Sequence, residues 1–133
     1  MRRDLESMHP CQSPDGWNPR EKPAYVNQIR DSLKAGTFLY TLEYVPDLRS
    51  AASRGRAELR RNAELVGRDP RIAGVNVADR VKSLDSLSTV ECGELAALAS
   101  GKVPLLHLAG KDRNPQQARS VFDEALSKGL AGC

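Results

Sequence analysis

The sequence predicts an α/β fold of parallel strands, an incomplete (β/α)8 barrel of about three βα units. Three apolar runs of strand length begin at Phe38, Ile72 and Val103, which lie 34 and 31 residues apart. That spacing is expected of successive βα units. Each run is followed by a stretch with helical periodicity, so the connections should be helices and the strands parallel.

The composition describes one globular domain of 133 residues, with 40% hydrophobic and 28% charged residues and a net charge of +3. The longest apolar runs have strand length, so we expect no membrane span. No apolar stretch follows Arg2 and Arg3, which argues against a secretory signal. The three cysteines include no Cys-x-x-Cys pair. We therefore expect no disulfide framework and no metal site, and a cytoplasmic location.

The chain divides into a leader and one folded domain. Residues 1–22 hold three prolines and many polar groups, which predicts a flexible leader without a core. Residues 23–133 begin with a short helix at Pro23–Ala35, for which Gly36 suits the C-terminal cap. Leu130–Cys133 has the character of an approach to a fourth strand. A half barrel of this kind leaves a sheet edge and an apolar face uncovered.

The first βα unit and the strand after it have clear apolar patterns. The strand Phe38–Val45 is rich in aromatic and β-branched residues. The helix at Ser50–Val66 carries an apolar stripe, with arginines on its solvated side. The arginines between Arg49 and Arg71 could form a nucleic-acid patch, but glutamates dilute the charge and aromatic residues are only 5% of the chain. A solvated helix face is favoured, and the second strand follows at Ile72–Ala78.

The next two helices have local start signals. The helix after the second strand begins near Ser88, which forms a capping box with Glu91. The third strand is predicted at Val103–Ala109. The helix after it begins at the cap residue Asn114 and has Gln117 three residues later, which completes a second capping box.

Each strand carries one polar residue near its carboxyl end, namely Glu43, Asn76 and His107. A polar side chain late in a buried strand is costly unless it has a role or a partner. In (β/α)8 barrels the catalytic residues lie at this end of the strands. The alternatives are that Glu43 pairs with an arginine at the barrel mouth and that neighbouring backbone satisfies His107.

Four segments, taken in order, resemble the N-terminal half of the methylenetetrahydrofolate reductase family. They are Thr41–Pro46 (TLEYVP), Gly74–Asp79 (GVNVAD), Val103–Leu108 (VPLLHL) and Lys111–Asn114 (KDRN). The resemblance covers about residues 24–133. It implies a (β/α)8 barrel that holds FAD, takes electrons from NADH or NADPH, and reduces 5,10-methylenetetrahydrofolate to 5-methyltetrahydrofolate for one-carbon metabolism and methionine biosynthesis.

The resemblance also implies roles for individual residues. Glu43 matches the proton donor that helps to open the methylene bridge of the folate. A carboxyl group at the inner end of an apolar strand is expected to favour its protonated form, as such an acid requires. His107 matches a histidine that contacts the flavin, and Asp79 falls in a flavin-contacting loop. Asn76 matches no family role, but it could orient Glu43 through a hydrogen bond.

The sequence departs from the family pattern after two of the strands. Ala78 stands where the family has a threonine, Asp47 where it has a second proline, and Arg80–Lys82 where it has a glycine-containing turn. The Gly-Asp motif of the fourth strand is not reached before Cys133. We therefore expect a fragment that is inactive by itself. The alternative is a non-catalytic half barrel that works by association with a second copy or a complementing chain.

Overall fold

The computed structural model describes residues 25–45, 52–79, 87–111 and 113–130. It has four α-helices and one three-stranded parallel sheet, so the predicted α/β class with parallel strands is confirmed. The elements are α1 (Gln28–Ala35), β1 (Tyr40–Tyr44), α2 (Ala52–Arg68), β2 (Ile72–Val77), α3 (Thr89–Ser100), β3 (Leu105–Leu106) and α4 (Pro115–Ser127). The predicted leader at 1–22 and the last three residues of the chain lie outside the described residues.

The strands lie in the order β1-β2-β3, so the middle strand of the sequence is also the middle strand of the sheet. Glu43 pairs in register with Asn76, and Asn76 pairs with Leu105. β3 is only two residues long, shorter than predicted. One further hydrogen bond, from the backbone N–H of His107 to the carbonyl of Val77 at 3.0 Å, continues the pairing by one residue.

One face of the sheet is packed under α2 and α3. Val75 and Val77 of β2 point into this core. The apolar stripe predicted for α2 is confirmed, because Leu59, Ala63 and Val66 are completely buried there. Burial of apolar side chains is the main favourable contribution to the stability of such a fold. The arginines on the opposite side of α2 are exposed, as predicted.

The local start signals of α3 and α4 are confirmed. The side chains of Ser88 and Glu91 form a complete capping box at α3, and those of Asn114 and Gln117 form one at α4. α1 differs from its prediction, since residues 25–27 are not helical. Val26 instead forms a parallel β-bridge with Lys102, which lies shortly before β3, and this bridge fixes the Val26 backbone in an extended conformation.

Lys102 joins the amino-terminal edge of the sheet to the end of α2. Its side chain is buried, and its Nζ donates to the carbonyl oxygens of Val66, Asp69 and Ile72 at 3.0, 2.9 and 2.6 Å. Lys102 is also the bridge partner of Val26. Three carbonyl acceptors take up all three donors of the ammonium group, so this buried charge has a structural role.

Two surfaces are less covered than the amphipathic patterns predicted. On α4, the apolar periodicity predicts a buried stripe of Ala118, Val121, Phe122, Ala125 and Leu126. In the structure, Phe122 and Leu126 remain 48% and 41% exposed. A helix of a βα repeat is normally covered by neighbours on both sides, and in the described residues α4 packs mainly against α3. Just before β1, Phe38 is 84% exposed and lies edge-to-face against Tyr40, the first residue of the strand.

Candidate active site

The three polar residues predicted from the strands lie on the same face of the sheet. Glu43 and Asn76 are neighbours in register, and His107 lies two residues beyond Leu105, which pairs with Asn76. Alternate residues of a strand share a face, so all three side chains project from the face opposite α2 and α3. The structure therefore brings them together as a group at the carboxyl edge of the sheet.

The strand geometry sets the distance between the two chemically active members of this group. Two strand spacings and two residues of rise separate Glu43 from His107, which corresponds to about 12 Å between their Cα atoms. Because side chains stand roughly perpendicular to a sheet, the carboxyl and imidazole groups at this spacing do not meet directly as an acid–base pair. A flat ligand could lie between them, with Asn76 beneath its centre.

Within the described residues, this face of the sheet is open toward its carboxyl end. Ile29 of α1 is buried and covers the amino-terminal end, where its Cδ1 lies 3.4 Å from the position that a Cβ on Gly74 would take. At the other end, Glu43, Val45 and His107 are exposed in the described part of the chain. The buried surroundings expected for Glu43 are therefore absent there, because β1 is an edge strand paired only with β2.

Asn76 has an unusual environment for a residue in the central strand. Its Oδ1 is buried and has no hydrogen-bond partner among the described residues. The suggested orientation of Glu43 by Asn76 would use the amide nitrogen as donor, because a carboxylate and an amide oxygen are both acceptors, so it stays a prediction. Leaving a buried acceptor unpaired costs about 1–3 kcal/mol, so Asn76 lowers the stability of the sheet rather than supporting it.

Asp79 lies just beyond β2, and its carboxylate is almost entirely used by the fold. Its side chain is only 4% exposed. Oδ1 accepts from the Thr89 hydroxyl at 2.6 Å and from Nη2 of Arg113 at 3.1 Å. Oδ2 accepts from the Ala109 backbone N–H at 2.6 Å and from Nη1 of Arg113. These four donors fill the four lone-pair positions of a carboxylate.

The ionisation of Asp79 follows from these contacts. Burial by itself raises the pKa of the carboxyl group, but hydrogen bonds from Arg113, Thr89 and Ala109 outweigh it and lower that pKa to about 2. The same pairing raises the pKa of the Arg113 guanidinium. Asp79 is therefore a fixed anion at neutral pH, bound to a fixed cation.

Arg113 is the site residue that sequence reasoning missed. It stands in a segment that the family resemblance includes, but no strand pattern singles it out. It pairs with an acidic residue 34 positions earlier in the chain, and only the three-dimensional structure brings the two together. The available signal was weak: an acidic residue after one strand and an arginine after the next strand of a parallel sheet.

Comparisons with known proteins identify no relative. No family model, no curated protein and no solved structure matches this chain. Among the described residues, none of the helices combines the length and the apolar character that a membrane span requires.

Proposed function

We propose that this chain forms the N-terminal part of the barrel of a methylenetetrahydrofolate reductase-like flavoprotein. The observation that supports the proposal most is the shared position of Glu43, Asn76 and His107 on one open sheet face. The family resemblance rests on the same strand ends, and a barrel built from them would turn this face inward. The proposal includes a cytoplasmic location and NADH or NADPH as the electron donor.

The residues fit the proposed ligands unequally. His107 is exposed, so its ring is available to contact a flavin. Asp79 has all four of its acceptor positions filled, which fits a role in holding the adjoining loops better than direct contact with a flavin. When bound, the flavin would supply the hydride chemistry of the reaction. The contribution of this chain would be to bind and orient the two ring systems and to provide an acid.

Glu43 would be that acid. Its carboxyl group lies on the open face, where it can reach a nitrogen of the folate and deliver a proton as the methylene bridge opens. Bound ring systems above Asn76 would remove water from around Glu43. Removing water favours the protonated carboxyl group, so in this proposal the substrate itself helps to keep the donor protonated.

The test uses the gene product that carries this sequence, supplied with FAD. The Glu43→Gln variant should reduce 5,10-methylenetetrahydrofolate about 100-fold more slowly or worse, as expected for loss of a general acid. It should still oxidise NADH or NADPH with an artificial electron acceptor at an unchanged rate, because that reaction needs no proton donor to the folate. Glu58→Gln, on the exposed side of α2, is the matched control.

Two results would contradict the proposal. One is the absence of flavin from the purified protein together with no uptake of added FAD. The other is undiminished folate reduction by the Glu43→Gln variant.

The second candidate function is non-catalytic association of a half barrel. Exposed apolar residues in the edge strand β1 and just before it favour this function: Phe38, Tyr40 and Leu42 are 84%, 61% and 38% exposed in the described structure. Open strand edges of this kind pair with other chains. In this case Leu42→Lys should abolish self-association measured by sedimentation velocity, and the protein should take up no flavin.

A further inference from the structure

We propose that Asp79 and Arg113 are positioning residues that hold the His107–Ala109 segment in place at the carboxyl edge of the sheet. The link to catalysis rests on the proposed function, but the positioning itself can be tested without any ligand. The proposal derives from contacts that converge on Ala109, two residues after His107.

The Asp79–Arg113 pair forms hydrogen bonds with both polar groups of the Ala109 backbone. Its N–H donates to Oδ2 of Asp79 at 2.6 Å. Its carbonyl accepts from Nη1 of Arg113 at 2.8 Å. Ala109 lies in a segment without regular secondary structure, so these two bonds replace the ladder that a longer β3 would have provided.

The same pair joins three elements at the carboxyl edge of the sheet. Asp79 lies two residues after the end of β2, and its hydrogen bond to Thr89 reaches the first residue of α3. Arg113 immediately precedes Asn114, the cap residue of α4. The pair is thus anchored on rigid elements at both ends, which is what a support for a site residue requires.

The geometry of the pair suits it to this task. The side chains of Asp79 and Arg113 are only 4% and 13% exposed, and the two-pronged contact of a guanidinium with a carboxylate fixes direction as well as distance. By contrast, the ion pair of Arg119 with Asp123 within α4 is exposed, and its atoms are 3.7 Å apart. Such exposed pairs contribute little, which makes Arg119 a suitable control.

The experiment follows the ring resonances of His107 and the amide of Ala109 by nuclear magnetic resonance on the purified chain. His107 is one of only two histidines, so a His107→Gln sample assigns its signals. Arg113→Met removes the two hydrogen bonds to Asp79 and the one to the Ala109 carbonyl. The His107 signals should therefore shift, and the Ala109 amide should exchange about tenfold faster or more, because its acceptor Asp79 is no longer held in place. Arg119→Met should leave both unchanged.

A second variant guards against misfolding. Arg113→Lys keeps the charge but cannot contact both carboxylate oxygens in a fork, so its shifts should fall between those of the wild type and Arg113→Met. Unshifted His107 signals and an unchanged Ala109 amide in both variants would overturn the positioning role, even in a protein that binds flavin. Shifted signals in a protein that takes up no flavin would support the positioning role and reject the proposed function.

Discussion

At the scale of single residues, the polar side chains around the sheet differ in how far the fold satisfies them. Asp79 accepts four hydrogen bonds, whereas the buried Oδ1 of Asn76 accepts none from the described residues. An unsatisfied polar group in the central strand costs stability. Natural sequences usually retain such groups where function requires them.

Replacing Asn76 with valine should therefore stabilise the protein. The Asn76→Val change removes the unpaired acceptor and places a β-branched residue in a strand, so we expect the free energy of unfolding to rise by about 1 kcal/mol. Urea unfolding followed by circular dichroism measures this. Thr41→Val, a polar-to-apolar change on the same face, is the control and should give a smaller gain. A clear loss of stability in Asn76→Val would mean that Asn76 has a structural partner.

Residue-level prediction from the sequence succeeds where a local pattern carries the information. One polar residue at the end of an apolar run is visible in the sequence, and the structure places Glu43, Asn76 and His107 on one face. The exposure of Glu43 could not be foreseen, because it depends on which strands lie beside β1. Arg113 was equally hidden, since its partner lies 34 residues away.

At the scale of elements, the helix starts that depend on neighbouring residues could be predicted, whereas a start that depends on a distant residue could not. The capping boxes of α3 and α4 depend on residues three positions apart, and both were predicted correctly. The start of α1 was not, because Val26 is drawn into a bridge with Lys102, far along the chain. Contacts between distant elements override local preference at such positions.

Lys102 connects the end of α2, the start of β2 and the segment before α1 through its hydrogen bonds and its bridge with Val26. Lys102→Met would keep most of the apolar stem but remove the hydrogen bonds that Nζ donates to the carbonyls of Val66, Asp69 and Ile72. Loss of several buried hydrogen bonds to a charged group should lower the free energy of unfolding by about 3 kcal/mol.

Thermal and urea unfolding would measure the effect, with the exposed Lys111→Met as the matched control. A loss no larger than that of the control would show that the ammonium group contributes nothing to the joint between α2 and the sheet.

At the scale of the whole molecule, the sheet is packed on one face, and the described residues leave the carboxyl end of the other face open. The packed face has an apolar core of α2, α3 and the sheet, while the loops of the open edge are held by charge, through Asp79 and Arg113. Stability of the packed face should depend little on pH, whereas the open edge should be sensitive to acid.

The acid sensitivity follows from the pKa of Asp79, which folding lowers from 3.8 to about 2. A carboxyl group with a lowered pKa contributes its stabilisation above the unfolded value, and loses it as the pH falls from about 4 through about 2. The shift corresponds to about 2 kcal/mol. Asp79→Asn should therefore be less stable than the wild type at pH 7, and the difference should shrink as the pH approaches 2.

Urea unfolding at several pH values between 2 and 7 tests this expectation. Asp123→Asn, which removes a carboxylate from an exposed pair on α4, should retain the acid sensitivity of the wild type. Parallel pH profiles for Asp79→Asn and the wild type would show that the pair with Arg113 does not determine acid stability. If only Asp79→Asn has a flatter profile of stability against pH, then acid destabilises the protein mainly through the Asp79–Arg113 pair, at the sheet edge that carries His107.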